Sequence, residues 1–265
     1  MTILRSLYTN RYLFGQMLQR DVLQRYRGSQ LGFLWAFLYP IMMLLVYTFV
    51  FGMVMRVKWG VEGQDNIDFG LILFAGLLCH GLLAEVVMGA VGIIRGNGQY
   101  VKKVVFPLEV LNFVSIANAF LHMLLGLLIL MVLFVASGNP IHSTVLLTPV
   151  VLAPFLIFLI GLSFFVAVLG VYVRDLSQFV GVLITVLLFL GPIVYPFTSV
   201  PIEIQPYVYW FNPLTIIVEQ LRAVMLFGQY PNWADLGLYT VFACLMLILG
   251  MWFFQRTRDG FADVI

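Results

Sequence analysis

Between Glu109 and Arg174 the chain runs for 64 residues without one Asp, Glu, Lys or Arg. No water-soluble fold of this size accommodates such an interval, because charged residues make up about a quarter of an ordinary soluble domain. A bilayer core about 30 Å thick is crossed by roughly 20 apolar residues in a helix. The interval therefore predicts two spans joined by the short hairpin 137–144, with Gly138, Asn139 and Pro140 at its turn. Segments 31–55, 176–202 and 236–255 are also free of charge, and 69–94 is interrupted only by Glu85.

Apolar residues are 62% of the chain and charged residues 10%, so the membrane reading holds over its whole length. Inside a bilayer every backbone amide must be satisfied within the protein, which leaves helices or a closed barrel. The apolar runs are continuous rather than alternating, and that removes the barrel. The expected fold class is an all-α integral membrane protein. It has six transmembrane helices, an N-terminal interfacial helix and short outer re-entrant helices.

Basic residues give the orientation. With six spans, Arg5, Arg11, Arg20, Arg25, Arg27, Arg95, Lys102, Lys103, Arg174, Arg256 and Arg258 share one side, against Arg56, Lys58 and Arg222 on the other, a split of 11 to 3. The positive-inside rule puts the eleven, and both termini, in the cytoplasm. Residues 1–30 have no long apolar run or cleavage site, so they are expected to be a cytoplasmic amphipathic segment and not a cleaved signal. Leu4, Leu7, Phe14, Met17, Leu18 and Val22 offer its apolar side. Residues 31–265 then form one transmembrane domain.

Pro40 is expected to kink the first span near residues 35–39. The fifth span is expected to run from Leu176 to about Tyr195. Beyond it Pro192, Pro196, Pro201, Pro206 and Pro213 are interleaved with Tyr195, Phe197, Tyr207, Tyr209, Trp210 and Phe211. That stretch cannot be one regular helix, and broken backbone at membrane depth survives only where protein or a wet cavity covers it. Short helices dipping back into the outer leaflet fit best.

Enzyme signatures are absent from the sequence. There is no Gly-Lys dipeptide for a nucleotide-binding loop, no HExxH, and Gly161-Leu162-Ser163-Phe164-Phe165 fails the nucleophile-elbow pattern. Cys79 and Cys244 have no CxxC neighbour and read as apolar packing residues. No catalytic residue and no metal site are expected. Glu85 is the one carboxylate well inside a span, where an acid faces a cavity or an ionic partner, or stays neutral against a neighbouring helix. His80 lies about 140° from it around a helix, so the two do not share a face. The aromatics Trp35, Tyr39 and Tyr47 of span one and the outer cluster are either interfacial belt residues or stacking surfaces for sugar rings.

The ordered set 20–35 (RDVLQRYRGSQLGFLW), Tyr39-Pro40, Lys102-Lys103-Val104-Val105-Phe106-Pro107, Arg174-Asp175-Leu176, Pro192-Ile193-Val194-Tyr195, Asn212-Pro213-Leu214 and 261–265 resembles the ABC-2 type permeases that export polysaccharides. Those for O-antigen are nearest; those for capsule and teichoic acid lie further away. The resemblance implies a channel-forming subunit of the inner (cytoplasmic) membrane, working as a homodimer with two copies of a separate ABC ATPase. ATP and Mg would bind on that partner, and none on this chain. The cargo would be a polyprenyl-linked polysaccharide; nucleic acid is not an implied partner. Arg95, Asn97, Gln99, Tyr100, Lys102 and Lys103 would form the ATPase-coupling element. Trp35, Tyr39, Tyr47, Glu85, Tyr195, Phe197, Tyr207 and Trp210 would line the channel and its gate. An ABC-2 exporter of small lipids or drugs, or an intramembrane transferase using His80 or Glu85, are the competing readings.

Overall fold

The computed structural model describes residues 3–26, 31–54, 59, 67–101 and 106–264, and among them every regular element is helical. The N-terminal segment is two helices, α1 (Ile3–Thr9) and α2 (Arg11–Tyr26), not one. They meet at Asn10, whose side chain donates back to the Ser6 carbonyl at 2.8 Å. Met17 of α2 is buried, and of the apolar side expected from sequence Leu7, Phe14 and Leu18 also pack against the core, as does Leu13.

A 3₁₀ turn, Gly32–Leu34, opens the first span. Gly32 takes a left-handed φ of 50°, a conformation that favours glycine. The span continues as α3 (Trp35–Tyr47) and then as the π-helical segment Thr48–Val54. Pro40 lies inside α3, whereas the departure from α geometry comes at Thr48, one side of which packs on Gly70. A Cβ at Gly70 would overlap the Thr48 side chain, so a wider turn and a bare neighbour coincide.

Next comes α4 (Phe69–Gly96), a 28-residue helix about 42 Å long at 1.5 Å per residue. It is followed by the single turn α5 (Gly98–Val101), then α6 (Glu109–Ala136) and α7 (Thr148–Tyr172). Helices α4 and α7 form the centre, with α6 on one side of α4 and α11 (Trp233–Thr257) laid along α7. The α7–α11 seam is glycine-made: a Cβ on Gly250 would lie 2.0 Å from the Gly161 carbonyl oxygen, and one on Gly161 would meet the Met246–Leu247 backbone at 2.5 Å. Small residues at such a seam let the backbones approach this closely.

Between them lies the irregular part: α8 (Leu176–Leu190), α9 (Gln205–Phe211) and α10 (Thr215–Met225). The fifth span ends at Leu190, earlier than the Tyr195 expected. Pro192 has no N–H and forces the residue before it out of the helical region; Gly191 accordingly takes φ −94°, ψ 157°. Fifteen residues reach about 22 Å, short of a bilayer core of about 30 Å. Among the described residues five helical segments are individually long and apolar enough to cross a membrane, and α8 is a shorter apolar helix beside them. The chain closes with α12 (Phe261–Val264), whose Phe261 packs on Phe254 and Tyr172.

Side-chain bonds sort the helix ends into two faces. On one, Ser137 donates to Asp68 at 3.3 Å and Thr144 to the Val224 carbonyl at 2.8 Å. On the other, Arg95 donates to the Val171 carbonyl at 2.6 Å, Arg258 pairs with Glu109 at 3.8 Å, and Arg20 reaches the Tyr100 hydroxyl at 3.5 Å. The basic segments that the sequence placed on one side therefore do share one face, as far as Arg20, Arg95, Arg174 and Arg258 are concerned. Lys102, Lys103, Arg27, Arg56 and Lys58 lie outside the described residues.

Candidate functional site

The face opposite the basic segments is built around the break after α8. Helices α9 and α10 form a hairpin that enters and leaves from this face. At its tip the Tyr239 hydroxyl donates to the Pro213 carbonyl at 3.1 Å, which sets the tip about 9 Å along α11 from Trp233. The last carbonyls of a helix have no partner within it, and in an apolar environment each one left bare costs several kcal/mol. Here side chains take them. Tyr195 donates to Phe189 O at 3.0 Å, and Asn212 to Leu187 O at 3.4 Å beside the Gly191 N–H at 3.2 Å.

Arg222 of α10 does more. Its side chain is fully buried, donating from Nη1 to Pro192 O at 2.7 Å, from Nη2 to Ile193 O at 2.9 Å and from Nε to Ile72 O of α4 at 2.9 Å. Nη1 also pairs with Glu219 at 2.8 Å, one turn earlier, and the guanidinium lies over the Trp59 ring at 4.4 Å. The sequence put Arg222 on the side opposite the eleven basic residues, and said nothing of its burial. Here it is the most enclosed cation of the described residues, matched by carbonyl dipoles and one carboxylate.

Aromatic rings cover the hairpin. Phe197 packs on Tyr209 at 5.5 Å and Tyr209 on Trp210 at 5.2 Å, while Tyr207 stacks on Phe211 at 6.3 Å. Tyr209 is fixed at its far end by a 2.5 Å hydrogen bond to Asp235, and Asn232 holds the same carboxylate at 2.8 Å. Tyr207, Trp210 and Phe211 remain exposed, Phe211 by 82%. Of the four gate residues singled out from sequence, Phe197, Tyr207 and Trp210 belong to this cluster. Tyr195 is turned back onto α8. In span one, Trp35 and Tyr39 are exposed and Tyr47 stacks on Phe51 of its own helix at 6.1 Å.

Below the break, α4 and α8 frame an open groove of about 510 Å³. Ser177, Gln178, Gly181 and Thr185 of α8 line it together with Val182 and Val186, and Met88 of α4 lies opposite. The four α8 positions fall within an arc of about 100° on an otherwise apolar helix. His80 joins the two helices beside the groove, its Nε2 lying 3.0 Å from Ile184 O. Glu85, on a different face of α4, meets Nδ1 of His122 on α6 at 2.9 Å. The angular separation of His80 and Glu85 thus takes each to a different neighbour, and the partner for Glu85 is an ionisable group on another helix.

The basic face carries the second candidate surface. Helix α4 ends at Gly96, and Asn97 caps it by donating to Ile93 O at 2.8 Å. Tyr100 stacks on Phe106 at 4.5 Å. Arg20 of α2 leans on the Tyr100 hydroxyl, a bond that raises the already high pKa of the guanidinium. A cavity of about 260 Å³ separates α2 from this turn, lined by Leu13, Met17, Arg20, Tyr100 and Phe106. Gln99 faces outward, while Arg95 is turned inward to the end of α7.

Sequence reasoning did not single out the α8 stripe or Arg222 as site residues. The stripe was legible as four small or polar residues at helical spacing in a run with no charge. Arg222 was not, because its role depends on three carbonyls brought from two distant segments.

Comparison with known proteins covers the same ground. The profile of the ABC-2 type transporter family matches residues 12–226. The O-antigen export system permease protein RfbA of Myxococcus xanthus is 35% identical over 66% of this chain and 64% of its own length, a little under two thirds. A protein of the same name from Klebsiella pneumoniae is 26% identical over 99% of both chains. The polysialic acid transport protein KpsM of Escherichia coli is 25% identical over 91% of both. The profile takes in α2, the first span, the α4–α6 turn, the broken α8 and the buried Arg222 in one continuous match, and the chain belongs to the ABC-2 type transporter family.

Proposed function

We propose that this chain is the channel-forming subunit of an ATP-driven exporter of lipid-linked polysaccharide, of the O-antigen kind. The observation that carries the reading is the end-to-end similarity to permeases whose names specify O-antigen export, over 99% of both chains. The geometry supports it: exposed ring faces crowd the outer face, an open groove runs along α8, and both sit beside a broken helix.

The subunit works as a homodimer in the cytoplasmic membrane, with both termini in the cytoplasm and α8 together with its re-entrant hairpin completing a sixth crossing. Two copies of a separate ATPase bind beneath. That partner holds ATP and Mg; this chain hydrolyses nothing. Residues Arg95, Asn97, Gln99, Tyr100, Lys102 and Lys103 form the element against which the ATPase bears, with α2 alongside. Closure of the ATPases on ATP displaces these elements, and the bundles shift to the conformation the closed ATPase favours.

Each sugar ring offers apolar C–H patches to the faces of Trp35, Tyr39, Tyr47, Phe197, Tyr207 and Trp210. Stacking of this type tolerates many sugars, as a polymer advancing in steps requires. Glu85, held by His122, and Tyr195, held on α8, shape the walls.

The test is reconstitution of the chain with an ABC ATPase from its own host, in proteoliposomes carrying polyprenyl-linked glycan. ATP-dependent transfer of the polymer to the far side supports the reading. ATP-dependent movement of a short lipid or drug, with the polymer left in place, contradicts it.

A further inference from the structure

A buried guanidinium with four of its five N–H donors on named acceptors is fixed in position, and the acceptors of Arg222 belong to three different segments. Ile72 is at the outer end of α4. Pro192 and Ile193 are the break after α8, and Glu219 is on α10 itself. The fit is close on every side. A Cβ at Gly76 would lie 2.7 Å from Nη2, and Trp59 covers the guanidinium at 4.4 Å. From Ile72, α4 runs without interruption to Gly96, whose next turn is α5. The same helix therefore touches the outer hairpin at one end and the basic face at the other.

We propose that Arg222 is a positioning residue that fastens the outer end of α4 to the α8 break and to the α9–α10 hairpin, so that the outer mouth moves with α4. Displacement of the Gly96 end tilts or slides a stiff rod. Its outer end cannot move without carrying the Ile72 carbonyl, and with it Arg222, Pro192 and Ile193. The hairpin bearing Tyr207, Trp210 and Phe211 then follows, pivoting on its bonds to Asp235 and Tyr239 of α11. Lysine cannot replace this joint, since its three donors sit on one nitrogen, whereas the planar fork serves four acceptors from Nε, Nη1 and Nη2. The direction of the signal, from the basic face outward, rests on the exporter reading; the fastening itself does not.

The experiment uses the full chain in nanodiscs with Cys244→Ser and the buried Cys79 left in place. Spin labels replace Phe211 and Leu238, both exposed, and labelled chain is diluted into unlabelled chain so that only intrachain distances are read. A control pair replaces Leu146 and Leu238. The parent should give one narrow distance for each pair. Arg222→Lys should broaden the Phe211–Leu238 distance and leave the control narrow. Gly96→Pro, at the far end of α4, should shift the Phe211–Leu238 distance in the parent and add nothing on top of Arg222→Lys. Three results overturn the proposal. A narrow Phe211–Leu238 distance in Arg222→Lys makes the fork dispensable. Additive effects, or no shift with Gly96→Pro alone, remove the link through α4. Broadening of the control pair as well makes Arg222 a residue of the whole fold. None of these depends on which cargo is carried, so failure here is separable from failure of the exporter reading.

Discussion

Glu85 near the middle of α4 and His122 near the middle of α6 meet at 2.9 Å, an acid and an imidazole facing each other between two membrane-spanning helices. Interhelical polar pairs in membranes contribute modestly, because the unfolded chain in lipid also finds partners; about 1 kcal/mol is expected here. A cycle of Glu85→Ala, His122→Ala and the double variant, followed by unfolding in mixed micelles, should show that coupling. Strict additivity of the two single losses would mean that the pair does not act as one.

Gly170 sits so close to α4 that a Cβ there would fall 2.0 Å from the Val91 carbonyl oxygen, and Gly250 meets Gly161 in the same way. Overpacking of this sort costs about 1–3 kcal/mol, and more where backbone rather than a side chain must yield. Gly170→Ala and Gly250→Ala should each lower the melting temperature of the purified protein. Gly237→Ala, where a Cβ would meet nothing within 4 Å, should leave it unchanged. Equal melting of all three would show that the α4–α7 and α7–α11 seams are looser than described.

The α4–α8 groove gives a test of the path that leaves folding alone. A Cβ at Gly181 would meet nothing within 4 Å, so Gly181→Trp can fill much of the 510 Å³ groove without strain. Loss of at least tenfold in export is expected, about 1.4 kcal/mol or more on the limiting barrier, with unchanged expression and melting. Full export by this variant would move the path elsewhere.

At the basic face, the stack of Tyr100 on Phe106 and the Arg20 contact hold the turn that follows α4. Charge reversal at Lys102 and Lys103 should abolish co-purification of the ATPase while membrane insertion persists. Tyr100→Ala should weaken it through loss of the stack. Arg20 keeps its charge throughout the physiological range, its pKa being raised by the Tyr100 hydroxyl, so its contact with the turn should not vary with pH. Undiminished ATPase binding by the double reversal would rule this loop out as the docking element.

Much of the architecture was readable from the chain because membrane folding is governed by a few strong rules. The 64-residue charge-free interval demanded α6, α7 and their hairpin, and the prolines around Tyr195–Phe211 demanded a broken segment. Where α8 ends was less readable. The apolar run continues past Leu190, and only the extended conformation that Pro192 imposes on Gly191 stops the helix. The pairing of Glu85 with His122 could not be read at all, because it depends on how α4 and α6 are rotated against each other. The burial of Arg222 was hidden for a related reason. Counting basic residues gives only the side on which each lies, whereas the burial of this one depends on carbonyls of the α8 break and of α4 that meet only in the fold.

The central claim is tested most directly by deleting the gene in its host and fractionating surface and lipid-linked glycans. Export by this chain predicts full-length polymer held on its polyprenyl carrier at the cytoplasmic face, with the surface bare and both reversed by the wild-type gene. Normal surface glycan with no trapped intermediate would contradict it.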